Sequence, residues 1–268
     1  MKIYGLLGKN ISYSFSPILH KEIFKYLGLK EDKISYKLFD IEEKEIKKLI
    51  KKIRENQIQG INITIPYKER VIDFLDEISK KAKDIGAVNT IYKKDNKLIG
   101  ENTDYFGFLE TLKKLKVDIK KENIAILGSG GAAKAVLQVV KDLGAIPYIV
   151  SRDQEQAKQK FQDVEVINYE KLKGLTGKIL INCTPLGNKN YPDISPVSKE
   201  ISLEWEYGID LNYVPKISLF LSYFKEEKRM NGLYMLVAQG VKSEEFWQNK
   251  NMPIEDIYND ICIKVYKK

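Results

Sequence analysis

The chain has 268 residues, 43% apolar and 31% charged, which excludes a single small core and suits one large or two medium domains. Its net charge is +8, but only four of the 45 basic residues are arginine (Arg54, Arg70, Arg152 and Arg229) and the lysines are interspersed with acids. That pattern reads as a solvated lysine-rich surface, not as a nucleic-acid groove. No apolar run approaches the roughly 18 residues of a membrane span, and residues 1–4 lead straight into a strand-like segment, so no secretory signal and a cytoplasmic setting are expected. Two cysteines, Cys183 and Cys262, and one histidine, His20, exclude a disulfide framework, a zinc cluster and Ser-His-Asp chemistry. Proton transfer then falls to Lys, Asp, Glu or Tyr.

The predicted elements alternate. Residues 2–8 read as a strand, 17–27 as a helix capped by Ser16 with Pro17 in its first turn, 34–39 as a strand, 41–53 as an amphipathic helix, and 60–65 as a strand stopped by Pro66. A helix over 69–82 follows, then a hairpin of 87–93 and 97–100 turning at Asp95-Asn96, and a helix over 105–115. After a polar gap a second α/β run begins: strand 123–127, helix 131–143 closed by Gly144, and strands at 147–150, 178–182 and 208–211. Helices over 233–247 and 254–266 end the chain. The expected fold is α/β in two lobes. Residues 1–104 with 233–268 form a substrate domain and 105–232 a Rossmann-like dinucleotide-binding domain, so the C-terminal helices return to the first lobe. A cleft between lobes is the expected ligand site.

The clearest local signal is Gly128-Ser129-Gly130-Gly131-Ala132-Ala133, a Gly-x-Gly-x-x-Ala loop after a strand and before a helix. Gly128 permits the tight turn, Gly130 lets backbone approach a pyrophosphate, Ala133 allows close helix–strand packing, and the helix N-terminus offers unpaired N–H groups. The next strand ends in Ser151-Arg152-Asp153. A neutral hydroxyl followed by a rare arginine suits the 2′-phosphate of NADP. The Asp153 carboxylate either repels that phosphate or accepts the 2′-hydroxyl of NAD, and Lys158 is a further nearby charge.

Polar groups also cluster where strands end in the N-terminal part. Ser14-x-Ser16-Pro17-x-x-His20 sets two hydroxyls before a helix, suited to a carboxylate. Asn62-Ile63-Thr64-Ile65-Pro66-Tyr67-Lys68, Gly86-Ala87-Val88-Asn89-Thr90 and Gly100-Glu101-Asn102-Thr103-Asp104 complete the set. Singly, each has an ordinary explanation: Ser16 and Asp104 as helix caps, Lys68 as one lysine among many, His20 as a structural core residue.

Together these motifs resemble the shikimate dehydrogenase family nearly end to end. The resemblance continues through Asn182-Cys183-Thr184-Pro185-Leu186-Gly187, Asp210-Leu211-Asn212-Tyr213-Val214-Pro215 and Gly232-Leu233-Tyr234-Met235-Leu236-Val237-Ala238-Gln239. It implies NADP-dependent interconversion of 3-dehydroshikimate and shikimate on the route to chorismate and the aromatic amino acids. By the same resemblance Lys68 and Asp104 are the catalytic pair, while Ser14, Ser16, Thr64, Asn89, Asp104, Tyr213 and Gln239 hold substrate. Gly128, Ser129, Gly130, Gly131, Ala132, Ser151, Arg152, Thr184, Leu211 and Gly232 line the cofactor site, with Asp153 and Met235 beside them, and no metal is implied. Two positions depart from the family's frequent pattern: Ser151-Arg152-Asp153 replaces Asn-Arg-Thr, and Asn188 replaces a Met after Pro-Leu-Gly.

Oxidising a secondary alcohol needs a proton acceptor for the hydroxyl while hydride leaves the same carbon. Lys68 and Asp104 are expected to share protons as one coupled unit, so neither alone is assigned as the base. A substrate with one carboxylate and three hydroxyls is matched by many neutral donors and acceptors. A small-molecule substrate, no nucleic acid, no membrane, and a monomer or homodimer are expected. The rival readings are a quinate/shikimate dehydrogenase preferring NAD and a non-catalytic ligand-binding relative; retention of both Lys68 and Asp104 argues against the second.

Overall fold

Parallel strands joined by helices need a sheet covered on both faces, and the chain builds two of them. The computed structural model describes residues 1–266; Lys267 and Lys268, the end of the expected 233–268 segment, lie outside the described residues. The chain divides into two units, Met1–Gly107 with Val237–Lys268, and Phe108–Leu236.

In the first unit β1 (Lys2–Gly8), β2 (Ile34–Asp40), β3 (Gly60–Ile63), β4 (Glu77–Ile78), β5 (Thr90–Lys94) and β6 (Lys97–Glu101) form one sheet in the order β2-β1-β3-β5-β6-β4. β1 runs parallel to β2 and β3, whereas β3-β5 and β5-β6 are antiparallel. The connections carry α1 (Ser16–Tyr26), α2 (Ile46–Arg54) and α3 (Lys80–Ile85). Ile46, Leu49, Ile50 and Ile53, one face of α2, are buried with Leu7, Ile61 and Ile63 of the strands, while the lysines between them stay in water. α4 (Thr103–Leu115) then leads out of this unit.

In the second unit β7 (Asn123–Leu127), β8 (Ile146–Val150), β9 (Glu165–Ile167), β10 (Gly177–Asn182), β11 (Trp205–Asp210) and β12 (Arg229–Asn231) are ordered β12-β11-β10-β7-β8-β9, with every pairing parallel. Counted from β7 this is the 3-2-1-4-5-6 order of the dinucleotide-binding fold. α5 (Gly131–Asp142), α6 (Gln154–Lys160), α7 (Tyr169–Leu172), α8 (Lys199–Leu203) and α9 (Leu219–Ser222) make the crossovers. α10 (Leu233–Gln248) begins in this unit and continues into the first, where α11 (Ile254–Tyr266) packs on α1.

Three expectations are corrected. The first helix includes Ser16; Phe15 occupies the cap position with no side-chain bond of its own, and Ser16 N donates to Ser14 Oγ at 3.2 Å. The helix expected over 41–53 opens with a separate 3-10 turn, Glu43–Glu45, closed by reciprocal bonds of Glu42 and Glu45. The helix expected over 69–82 does not form. The Asp76 carboxylate accepts from Leu98 N at 2.7 Å and from Arg54 Nη1 at 2.7 Å, which fixes the backbone for Glu77–Ile78 to pair with β6. A new helix, α3, starts only after Ser79, whose side chain accepts from Ala82 N.

Candidate active site

The expected site residues fall into two groups, one in each unit. In the first, Lys68 Nζ donates to Asp104 Oδ2 at 2.5 Å, with the two side chains 16% and 14% exposed. Both ends of this contact are held by backbone. Lys68 lies in the turn after β3; the neighbouring Tyr67 is buried and donates its hydroxyl to Ile41 O at 2.7 Å, and Lys68 O accepts from Val88 N at 2.8 Å. Asp104 sits in the first turn of α4, where an acid is favoured by the unpaired N–H groups. The orphan donors of that turn are met by Asn89 Oδ1, which accepts from Thr103 N at 2.7 Å, and by Asn102 Oδ1, which accepts from Tyr105 N at 3.3 Å. Asp104 is thus not the cap of α4; its carboxylate is available to Lys68.

A buried polar network lies behind the pair. Asn89 Oδ1 also accepts from Thr103 Oγ1 at 3.1 Å and Thr90 Oγ1 at 3.2 Å, so its acceptor end faces inward and its NH2 is the end that remains for a ligand. Thr103 Oγ1 lies 3.5 Å from Gln239 Oε1 and 3.2 Å from Ser243 Oγ. Asn62 Nδ2 donates to Thr90 Oγ1 at 3.0 Å and Ser243 Oγ at 2.8 Å, while Asn62 Oδ1 accepts from Tyr36 at 2.8 Å. Burial first, and the Glu244 charge second, push the Tyr36 hydroxyl well above its ordinary pKa, with Ser16 beside it offsetting part of the rise. It therefore stays protonated and donates. Ser16 in turn meets Ser14, Oγ to Oγ at 3.1 Å, and Thr64 follows β3 with its N–H on Leu7 O. His20 is fully buried, paired with Glu244 at 2.6 Å and stacked on Tyr36 at 4.0 Å. The structure thus ties Ser16, Asn89 and Gln239 to the start of the Asp104 helix. Tyr36, Thr90, Thr103 and Ser243 were not singled out in the sequence as site-forming. Thr90 and Thr103 lie inside quoted motifs, and Ser243 is a lone hydroxyl in an apolar helical run.

In the second unit, Gly128, Ser129 and Gly130 join β7 to α5. Gly128 has φ +100°, a conformation glycine adopts without strain, and a Cβ there would also touch Thr184 Cγ2. Gly130 precedes α5 with ordinary φ −84° and caps it with no side chain. A Cβ on Gly130 or Gly131 would meet no protein atom within 4 Å. Packing within the chain therefore does not demand glycine at those two positions, whereas backbone donors exposed to an approaching anion do. The residues present fit a dinucleotide pyrophosphate. The loop lies where β7 and β10 adjoin, the point at which strand order reverses and such folds bind ligands.

At the end of β8, Ser151 Oγ donates to Asp153 O at 2.9 Å. Arg152 is exposed and forms no ion pair among the described residues. Asp153 caps α6, its Oδ1 accepting from Gln156 N at 2.9 Å. Thr184 donates both N–H and hydroxyl to Asn182 Oδ1, at 2.9 and 2.7 Å. Gly232 N donates to Asn212 O at 3.0 Å, and a Cβ on Gly232 would fall on the Leu211 carbonyl. Tyr213 is half-buried, and Met235 is buried in the first turn of α10.

A parallel sheet carrying a glycine loop, with a second α/β unit bearing a paired lysine and aspartate, defines a two-domain dinucleotide-dependent oxidoreductase. Residues 6–91 match the family described as the shikimate dehydrogenase substrate binding domain. A shikimate dehydrogenase (NADP(+)) of Clostridium beijerinckii is 43% identical over 252 residues, covering 92% of each chain. The chorismate mutase/shikimate 5-dehydrogenase fusion protein of Clostridium acetobutylicum superposes with a TM-score of 0.93 at 39% identity, over 99% of this chain and 98% of that one. Shikimate 5-dehydrogenase of Thermus thermophilus, solved with NADP(H) and shikimate, gives 0.84 at 29% identity over 97% and 98%. The chain belongs to the shikimate dehydrogenase family. Among the described residues no helix is long and apolar enough to cross a membrane.

Proposed function

We propose that the chain catalyses the reversible NADPH-linked reduction of 3-dehydroshikimate to shikimate, with substrate bound by the first unit and NADP(H) by the second. The observation that carries the reading is the 2.5 Å contact between Lys68 and Asp104, set beside a cluster of neutral hydrogen-bonding side chains. When bound, NADPH supplies the hydride taken up by the carbonyl carbon. In reduction, Lys68 donates a proton to the substrate oxygen as negative charge develops there, and Asp104 holds the ammonium in line. In oxidation the same pair accepts the hydroxyl proton as one relay.

Ser14 and Ser16 are assigned to the substrate carboxylate, and Thr64, Asn89, Asp104 and Gln239 to its ring hydroxyls; Tyr213, also assigned to substrate, belongs to the second unit. The inward acceptor of Asn89 supports a donor role for its amide. Preference for NADP over NAD is supported by Arg152, which is exposed and has no ion pair among the described residues, and by the use of the Asp153 carboxylate as a helix cap. Both candidate groups come from one chain, so a monomer or a homodimer suffices. A cytoplasmic setting is supported by two cysteines that stand unpaired.

The test is nicotinamide absorbance with shikimate or quinate crossed against NADP+ or NAD+. The proposal expects the shikimate and NADP+ combination to give the highest kcat/KM; a higher value with quinate or with NAD+ overturns it.

A further inference from the structure

One buried carboxylate ties together the loops at the C-terminal ends of β10 and β11. Asp210, the last residue of β11, is 0% exposed. Its Oδ1 accepts from Asn182 Nδ2 at 3.0 Å, Asn212 N at 3.0 Å and Asn212 Nδ2 at 2.9 Å, and its Oδ2 from Ser218 Oγ at 2.5 Å. The two asparagines carry the constraint onward into residues 184–187. Asn182 Nδ2 donates to Leu186 O at 2.8 Å, and Asn212 Nδ2 donates to Thr184 O at 2.9 Å and Leu186 O at 3.0 Å. Thr184 is the residue whose methyl group stands against Gly128 of the glycine loop.

Every partner of Asp210 is a donor: two carboxamides, a backbone N–H and a hydroxyl. A carboxylate offers acceptors to all of them, whereas an amide of the same shape turns its own N–H bonds toward some of these donors. Acid is thus required at this position by hydrogen-bond polarity, although burial of a carboxylate with only neutral partners is unfavourable. Burial pushes the Asp210 carboxyl up to about 6 against the pull of those hydrogen bonds. A group kept ionisable at such a cost is expected where the geometry it enforces matters to function.

We propose that Asp210 is a positioning residue for the cofactor, its carboxylate fixing the loop at residues 184–187 against the glycine loop at Gly128 so that NADP(H) meets a pre-set surface. The inference rests on the reading of Thr184 and Leu211 as cofactor-lining.

The experiment uses the full chain with Asp210→Asn and Ser218→Ala, each measured for NADPH affinity by direct titration, shikimate KM, and melting temperature. Asp210→Asn weakens NADPH by about tenfold and Ser218→Ala by about threefold, with shikimate KM within about twofold of the parent. Unchanged NADPH affinity in both folded variants overturns the inference. So does a loss of activity in which both ligands are affected equally and the melting temperature falls in step, since that is the signature of a structural role alone. If Asp210→Asn does not fold, Ser218→Ala decides by the same criteria. Gly130→Asp, which adds a carboxylate to the glycine loop at a position where a Cβ meets no protein atom within 4 Å, separates the two levels. Normal NADPH binding by Gly130→Asp overturns the cofactor-site reading itself, while loss of binding there with none in the other two variants overturns only the role of Asp210.

Discussion

The Asp153 carboxylate accepts from the backbone N–H of Gln156 at 2.9 Å, so the acid that follows Arg152 in sequence is directed into the first turn of α6. An acidic side chain at the tip of the second strand usually marks NAD by accepting the ribose 2′-hydroxyl. Here it is occupied as a cap, and the adjacent Arg152, proposed as the phosphate-binding group, is exposed.

Arg152→Ala therefore raises KM for NADP+ by at least about tenfold and changes KM for NAD+ by less than about twofold, because only the 2′-phosphate engages the planar fork. Initial-rate kinetics with both dinucleotides check this. Equal losses would show that Arg152 is not a phosphate clamp.

Asp153→Ala removes a cap and costs about 1 kcal/mol of stability, seen in urea titration, with little change in the ratio of NADP+ to NAD+ activity. A large swing in that ratio would mean the carboxylate faces the ribose after all.

Lys68→Ala lowers kcat by about 10²–10⁴, the range for loss of a positioned proton-transfer group, and leaves shikimate KM within a few-fold. Asp104→Asn affects both parameters, since Asp104 is assigned to substrate contact as well. Steady-state kinetics separate the two patterns, and a fully active Lys68→Ala enzyme would remove the lysine from the mechanism.

Asp210 makes stability depend on pH with a definite sign. Its carboxyl is raised to about 6 in the folded chain from an unfolded value of 3.8. Between those values the folded state binds more protons than the unfolded one. Its contribution is thus fully present below about pH 4 and is lost as pH rises through about 6, a decline of order 2–3 kcal/mol. Urea unfolding of parent and Asp210→Asn at pH 4.5 and 7 isolates it: the difference between the two proteins shifts in favour of the variant at the higher pH. A pH-independent difference would mean that burial does not hold the proton.

Glu244→Ala, which leaves a ring nitrogen of buried His20 without its 2.6 Å hydrogen-bond partner, destabilises the chain by about 1–3 kcal/mol. The folded fraction retains proton-transfer activity, as expected if the histidine is structural. Thermal melts paired with kcat per folded molecule make the check.

Much of this architecture was legible where local chemistry and tertiary context agree. Asp95 and Asn96 hold φ of +49° and +62°, the conformation that a two-residue hairpin turn asks for, and the strand–glycine loop–helix passage at 123–142 is set by its own residues. The span 69–82 misled because Val71, Ile72, Leu75 and Ile78 are spaced like one face of a helix. What broke it was remote: Arg54 and Leu98 bind Asp76 from other elements. β12 carries too short and too polar a stretch to signal a strand, and only its pairing with β11 defines it. In the site, Lys68, Asp104, Asn89 and the glycines stood in contiguous motifs. Tyr36 and Ser243 did not, because their hydroxyls enter the network from separate elements and no linear spacing records that meeting.

The opening of α5 has a consequence for how this protein can change over generations. On the cofactor assignment proposed above, its anion-facing surface is main chain flanked by glycine and alanine, with Ser129 the one larger side chain in residues 128–133, so there is little side chain there for a mutation to delete. Nearly every replacement adds bulk in the path of the natural nucleotide. A compound that imitates the diphosphate and touches only those amides would leave the organism few escapes that do not also starve its own enzyme.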